Sequence, residues 1–106
     1  MEHSKRRAIA YIAGRIISRN ESGAIFDYES SKYFNFSGNV ENSINVFDYS
    51  RSSYLTGDKS SIFDYSSGQY ITLDIEKSNF SGFDYESGNF YTGSVNSNSI
   101  SFFDYE

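Results

Sequence analysis

Five aspartates stand in the same tripeptide, Phe-Asp-Tyr, at 26–28, 47–49, 63–65, 83–85 and 103–105. A row of carboxylates, here Asp27, Asp48, Asp64, Asp84 and Asp104, has two chemistries open to it: holding a cation, or acting in pairs as general acid and base. The spacing argues against both. Calcium loops set their oxygen ligands at alternate positions of one short segment, as in Asp-x-Asp-x-Asp-Gly, and no such run is present. Acid–base catalysis of the glycosidase kind needs two carboxylates at a set separation in a cleft, whereas steps of 21, 16, 20 and 20 residues describe a regular row. His3 is the one histidine and falls in a terminal segment expected to be flexible, which leaves the 21 serines without a positioned base. Cysteine is absent, so His-dependent triads, zinc sites, thiolate chemistry and disulfides drop out together. Ser22-Gly23 and Ser87-Gly88 read as turns rather than phosphate loops. The sequence therefore predicts no catalytic residue, no metal and no cofactor.

Two structural roles remain for the carboxylates. Each aspartate is the penultimate residue before a stretch of turn composition, where its oxygens accept the N–H groups of the turn. They also sit where cations of a neighbouring element, Arg15 and Arg19 or Arg6 and Arg7, compensate their charge.

What positions them is a repeat. After each of the first four Tyr residues another aromatic follows at a constant offset of five: Tyr28 to Tyr33, Tyr49 to Tyr54, Tyr65 to Tyr70 and Tyr85 to Phe90. The four residues between are Glu-Ser-Ser-Lys, Ser-Arg-Ser-Ser, Ser-Ser-Gly-Gln and Glu-Ser-Gly-Asn, which is hairpin-loop chemistry between aromatic and β-branched runs. Each unit predicts one strand ending in Phe-Asp-Tyr and a return strand such as 33–40, 70–75 or 90–95, with polar linkers at 41–43 and 96–99, for about nine short strands. The second unit is short by four or five residues, so its return strand at 54–57 is predicted to be stunted or bulged, and this break is a candidate sheet edge, kink or closure point.

Strand alternation sorts the faces. Ile44, Val46, Phe34, Phe36, Val40, Ile71, Leu73 and Ile75 share the aspartates' face, and Phe47, Tyr49, Phe103 and Tyr105 share the other. The second face collects Tyr28, Tyr33, Tyr49, Tyr54, Tyr65, Tyr70, Tyr85, Phe90 and Tyr105, edged by Asn, Ser and Thr. A parallel β-solenoid is the rival architecture, since stacked coils also bring Phe-Asp-Tyr units into a ladder. The constant hairpin-length loop favours an antiparallel meander.

Ahead of the repeat, Ile9, Ile12, Ala13, Ile16 and Ile17 fall on one helical stripe, predicting a helix at about 5–19, with Ser4 as its cap and residues 20–23 as its end. Gly14 inside it costs about 1 kcal/mol relative to Ala. The predicted fold is α+β: an amino-terminal helix, within a helical segment 1–22, packed on a curved antiparallel sheet built from 23–106, in a single domain of 106 residues and 12.1 kDa.

Charge limits the partners. Residues 1–20 carry five cations against Glu2, a balance of +4, which leaves −9 for residues 21–106 and −5 for the chain. A body of that sign repels a phosphate backbone, so nucleic acid is not an expected partner. Apolar residues 8–14 are interrupted by Arg15, too short for a secretory signal, and no apolar run of about 18 residues is present. These features leave the compartment open, with a slight lean toward the cytoplasm.

The sequence resembles a family of small bacterial proteins without an assigned activity, in which an arginine-containing helix precedes repeated [Phe/Tyr]-Asp-Tyr strands. Phe26-Asp27-Tyr28 and Ser99-Ile100-Ser101-Phe102-Phe103-Asp104-Tyr105 carry the resemblance, which covers nearly the whole chain. It implies a bacterial source and brings no ligand or site with it. The residues themselves point to a non-enzymatic structural or interaction module, a homo-oligomer assembled through the aromatic face or the final strand's edge. The alternative is a glycan-binding module using the same rings, and a third reading places the basic helix on an anionic membrane surface.

Overall fold

The computed structural model describes residues 1–19, 23–96 and 99–105. One helix, α1 (His3–Ser18), is followed by ten strands: β1 (Ala24–Asp27), β2 (Lys32–Asn39), β3 (Ile44–Asp48), β4 (Ser53–Asp58), β5 (Ser61–Asp64), β6 (Gln69–Ile71), β7 (Asp74–Glu76), β8 (Asn79–Asp84), β9 (Asn89–Asn96) and β10 (Ser99–Asp104). All pairings are antiparallel, in the order β1-β2-β3-β4-β5-β6-β8-β9-β10, with β7 on β8. The meander is the architecture and the solenoid is not. The sheet is not closed: among the described residues β1 and β10 do not pair with each other.

The helix begins at His3, two residues earlier than expected. Ser4 lies inside it, and Glu2 occupies the cap position without a side-chain capping bond, so the expected serine cap is replaced. Arg19 ends it in the left-handed conformation, its N–H donating to Arg15 O. The predicted terminator residues 20–22 fall outside the described residues. Burial runs without a break from Ala8 to Gly14, through all directions around the helix axis rather than along one stripe. A helix buried all round needs a sheet that curls about it. Gly14 permits this on one side, because Ile100 Cδ1 lies 2.9 Å from where a Cβ would stand.

The concave face supplies the core: Phe36, Ile44, Val46, Leu55, Ile62, Ile71, Phe80 and Tyr91 close on Ile9, Ile12 and Ala13. Tyr11 stacks on Phe36 with ring centroids 4.4 Å apart.

The shortened second unit is accommodated differently from the expectation. Its return strand, β4, is six residues long against eight for β2 and β9, so it is shortened as expected, but it lies mid-sheet and is no edge. Instead β4 turns into β5 with only Lys59 and Ser60 between the paired Asp58 and Ser61. That leaves β5 four residues long, and the next return strand outruns it. The kink therefore appears in the third unit, where β6 and β7 are one strand broken at Thr72 and Leu73. Leu73 N–H, with no β5 residue opposite, donates to Lys59 O at 3.0 Å, and Tyr91 Oη donates to Thr72 O at 2.7 Å. This break accounts for ten strands where the repeat arithmetic indicated about nine.

Candidate functional site

The five repeated aspartates end β1, β3, β5, β8 and β10, alternate strands that all run the same way, so they meet along one rim of the sheet on its concave side. Each of the first four closes a hairpin of four loop residues. Asp27 accepts the Glu29 N–H at 3.0 Å, Asp48 the Ser50 N–H at 3.0 Å, Asp64 the Ser66 N–H at 3.4 Å and Asp84 the Glu86 N–H at 3.3 Å. The expected turn-capping role is in place for those four. Asp104 caps no turn among the described residues.

The same carboxylates are paired with cations. Arg7 Nη1 lies 3.2 Å from Asp27, and Arg51 bridges Asp48 at 2.7 Å and Asp64 at 3.0 Å. Lys5 Nζ meets Asp84 at 3.1 Å, Glu86 at 2.5 Å and Asp64 at 4.0 Å. Asp104 takes the Met1 amine, with Arg6 at 3.8 Å. Five carboxylates thus face five cations, which is how Asp48, Asp64 and Asp84 lie fully buried at the edge of an apolar core.

This corrects one expectation. Arg15 and Arg19 do not reach the row. Arg15 sits ten residues beyond Lys5, about 15 Å along the helix, where its Nη1 donates to Gly38 O at 2.8 Å and Tyr11 Oη at 3.2 Å. Arg19 makes the exposed helix end. Arg51 is the cation that the sequence reading missed. Its signal was present: it is the sole arginine after residue 19, and it falls in the loop that follows Asp48.

Electrostatics follow the contacts. Burial pushes the Asp84 carboxyl up, but hydrogen bonds from Ser87 and Lys5, the Lys5 charge and the Glu86 N–H outweigh it and hold the group below the ordinary carboxylate value. Asp27 is likewise held low: slight burial is outweighed by the Glu29 N–H, the Ser30 hydroxyl and Arg7. Burial works against the charge of Arg51, yet its bonds to Asp48 and the charge of Asp64 raise its pKa further. These oxygens are occupied in holding the helix. Among the described residues no group of three or more His, Cys, Asp or Glu is placed to hold a metal ion.

The opposite face carries the rings. Tyr28, Tyr33, Tyr49, Tyr54, Tyr65, Tyr70, Tyr85, Phe90 and Tyr105 all lie outward, with Phe103, at 50–73% exposure. They are grouped by register. Phe26 opposes Tyr33, Phe47 opposes Tyr54, Phe63 opposes Tyr70 and Phe83 opposes Phe90 across their hairpins. Each half-buried Phe is flanked edge-to-face by this ring and by the Tyr two residues on, at centroid distances of 4.8–5.0 Å. The result is a belt of near-identical clusters around the convex surface. Beside one of them Ser37, Gly38 and Asn45 join Phe47, Tyr49 and Tyr54 in a shallow cleft.

A larger cleft of about 720 Å³ follows the opening between β1 and β10, floored by the helix face that carries Arg6, Arg7, Ala10, Gly14 and Arg15. Among the described residues no helix is long and apolar enough to cross a membrane. Family models, curated proteins and solved structures yield no match to the chain.

Proposed function

We propose that the chain is a non-enzymatic interaction module that self-associates through its aromatic belt. One observation carries this reading: nine large rings, each at least half exposed, repeat at equivalent positions around a convex surface, with Phe103 exposed beside them. Exposed apolar surface of this continuity is a mark of contact sites, and each square ångström of it removed from water contributes about 25 cal/mol. The carboxylate row supports the same reading from the other side, since its charge is matched by the helix and Arg51 and its oxygens hold turns. The Ile9, Ile12 and Ala13 surface that a bilayer would require lies inside the sheet.

Light scattering behind size exclusion, over a concentration series, tests it. A stable oligomer that dissociates on Tyr49→Ala, Tyr65→Ala and Tyr85→Ala, with unchanged far-UV circular dichroism, is the expected result. A monomer at every concentration sinks it. The cleft of Ser37, Asn45, Phe47, Tyr49 and Tyr54 favours a second reading, glycan binding, because it sets stacking rings beside groups that meet sugar hydroxyls. In that case the same triple variant loses retention on a glycan column while its oligomer size stays as it was, and several weak equivalent sites act through avidity.

A further inference from the structure

The aromatic belt does not face one way. Phe26, Phe47, Phe63 and Phe83, the centres of its four complete clusters, stand on β1, β3, β5 and β8, each two strands beyond the last in the order of the sheet. That sheet curls about α1, whose residues Ala8 to Gly14 are all buried, and the molecule measures 30 × 29 × 25 Å. Two strands of advance in a sheet curled this far turn each cluster roughly a fifth of a turn from its neighbour. A partner laid against the surface therefore reaches one cluster, or two neighbours, and leaves the others in water.

What one cluster offers is small. Its two outward rings are half to three-quarters exposed, from Tyr70 at 50% to Tyr28 at 73%. A whole aromatic side chain presents about 150–250 Å², so one cluster brings about 250 Å² to a contact and two neighbours about 500 Å². Each side of a stable two-body interface buries roughly 800 Å². No single pairing of the belt reaches that area.

The clusters are, however, copies of one another. In each, a half-buried Phe lies edge-to-face between two more exposed rings, so an identical cluster rotated by half a turn meets it ring on ring, as in a two-fold pair. Every copy of the chain carries four such trios pointing in different directions.

We propose that the belt makes each chain multivalent toward its own copies, so that assembly is open: one copy holds two or more others through separate cluster-to-cluster contacts, and the assembly has no closed size. This rests on the self-association reading above and sets its form. The assembly is held by the number of contacts each chain makes rather than by the strength of any one. Since each chain carries a net charge of −5, salt that screens the repulsion between copies promotes growth.

Sedimentation velocity and light scattering of the intact chain, over a concentration series at low and at high salt, test this. The weight-average mass climbs from 12.1 kDa without a plateau, and climbs further at high salt. A second chain, in which every outward ring except Tyr65 and Tyr70 is changed to Thr, keeps one cluster and levels at twice the chain mass. A single plateau mass for the intact chain leaves the belt reading standing and overturns the open assembly. So does a one-cluster chain that grows as the intact one does. A monomer at every concentration overturns both. Should the one-cluster chain fail to fold, as read by far-UV circular dichroism, the presence or absence of a plateau in the intact chain decides.

Discussion

Lys5 Nζ donates to Asp84 Oδ1 at 3.1 Å across 79 positions of sequence, with both side chains 1% exposed. The pair ties the first turns of the helix to the fourth repeat. A buried ion pair is no guarantee of net stability, but removing one partner strands the other charge away from water. Lys5→Met keeps the length of the stem and leaves Asp84 without its cation, so the unfolding free energy drops by about 3–5 kcal/mol. Adding Asp84→Asn to Lys5→Met returns part of that loss. Urea midpoints of the two variants at neutral pH check this, and equal midpoints would contradict it.

The lowered carboxyl values set a pH dependence. Asp84 and Asp27 bind protons less readily folded than unfolded, so their contribution is fully present above the unfolded value, about pH 4, and is lost as pH falls through their lower folded values. Thermal midpoints are expected to stay level as pH falls from neutral toward about pH 5 and to drop below about pH 4. Asp84→Asn removes one of these groups, and its acid limb is shallower. A melt series in matched ionic strength reads both.

The four-residue loops end in left-handed backbone at Ser31, Ser52, Gly68 and Gly88. Glycine adopts that conformation without cost, whereas an L side chain pays about 1 kcal/mol, partly offset by glycine's greater freedom when unfolded. Ser52→Gly is accordingly expected to stabilise by about 0.5 kcal/mol and Gly88→Ala to destabilise by about 0.5 kcal/mol. At Gly88 no atom lies within 4 Å of the added Cβ, so the change isolates backbone strain. Denaturation curves in which the two variants shift the same way would rule this account out.

At the break between β6 and β7, Tyr91 Oη holds Thr72 O at 2.7 Å while its ring stacks on Phe102 at 5.1 Å. Burial drives the phenol pKa well above its ordinary value, with the Asp84 charge acting in the same direction. Tyr91→Phe keeps the stack and leaves a carbonyl without its donor, at a cost of about 1–2 kcal/mol. Exchange of the neighbouring Thr72 and Leu73 amides should accelerate in that variant if the hydroxyl secures the kink, and an unchanged rate would show that it does not.

Local chemistry was readable in the residues one after another. Phe-Asp-Tyr, a turn of four and a second aromatic determine a hairpin, its register and the division into an apolar and an aromatic face, because strand alternation and turn hydrogen bonding act over a few residues. The four Asp caps and the outward Tyr rings follow from that alone. The sequence also determined that a helix precedes the sheet, through the spacing of Ile9, Ile12 and Ala13.

Only the tertiary structure decided which cation meets which carboxylate. Curling of the sheet around α1 brings its first turns to the aspartate rim, so Lys5, Arg6, Arg7 and the Met1 amine reach it while Arg15 and Arg19 lie farther along the axis. The kink in the third unit was hidden for a similar reason: it arises from the length of the neighbouring β5, not from residues 72–73 themselves. Side-chain alternation and turn formation depend on neighbours in sequence. Ion pairing, strand ends and the opening between β1 and β10 depend on where distant segments arrive once the sheet has curved, and that is set by the summed twist and packing of the whole meander.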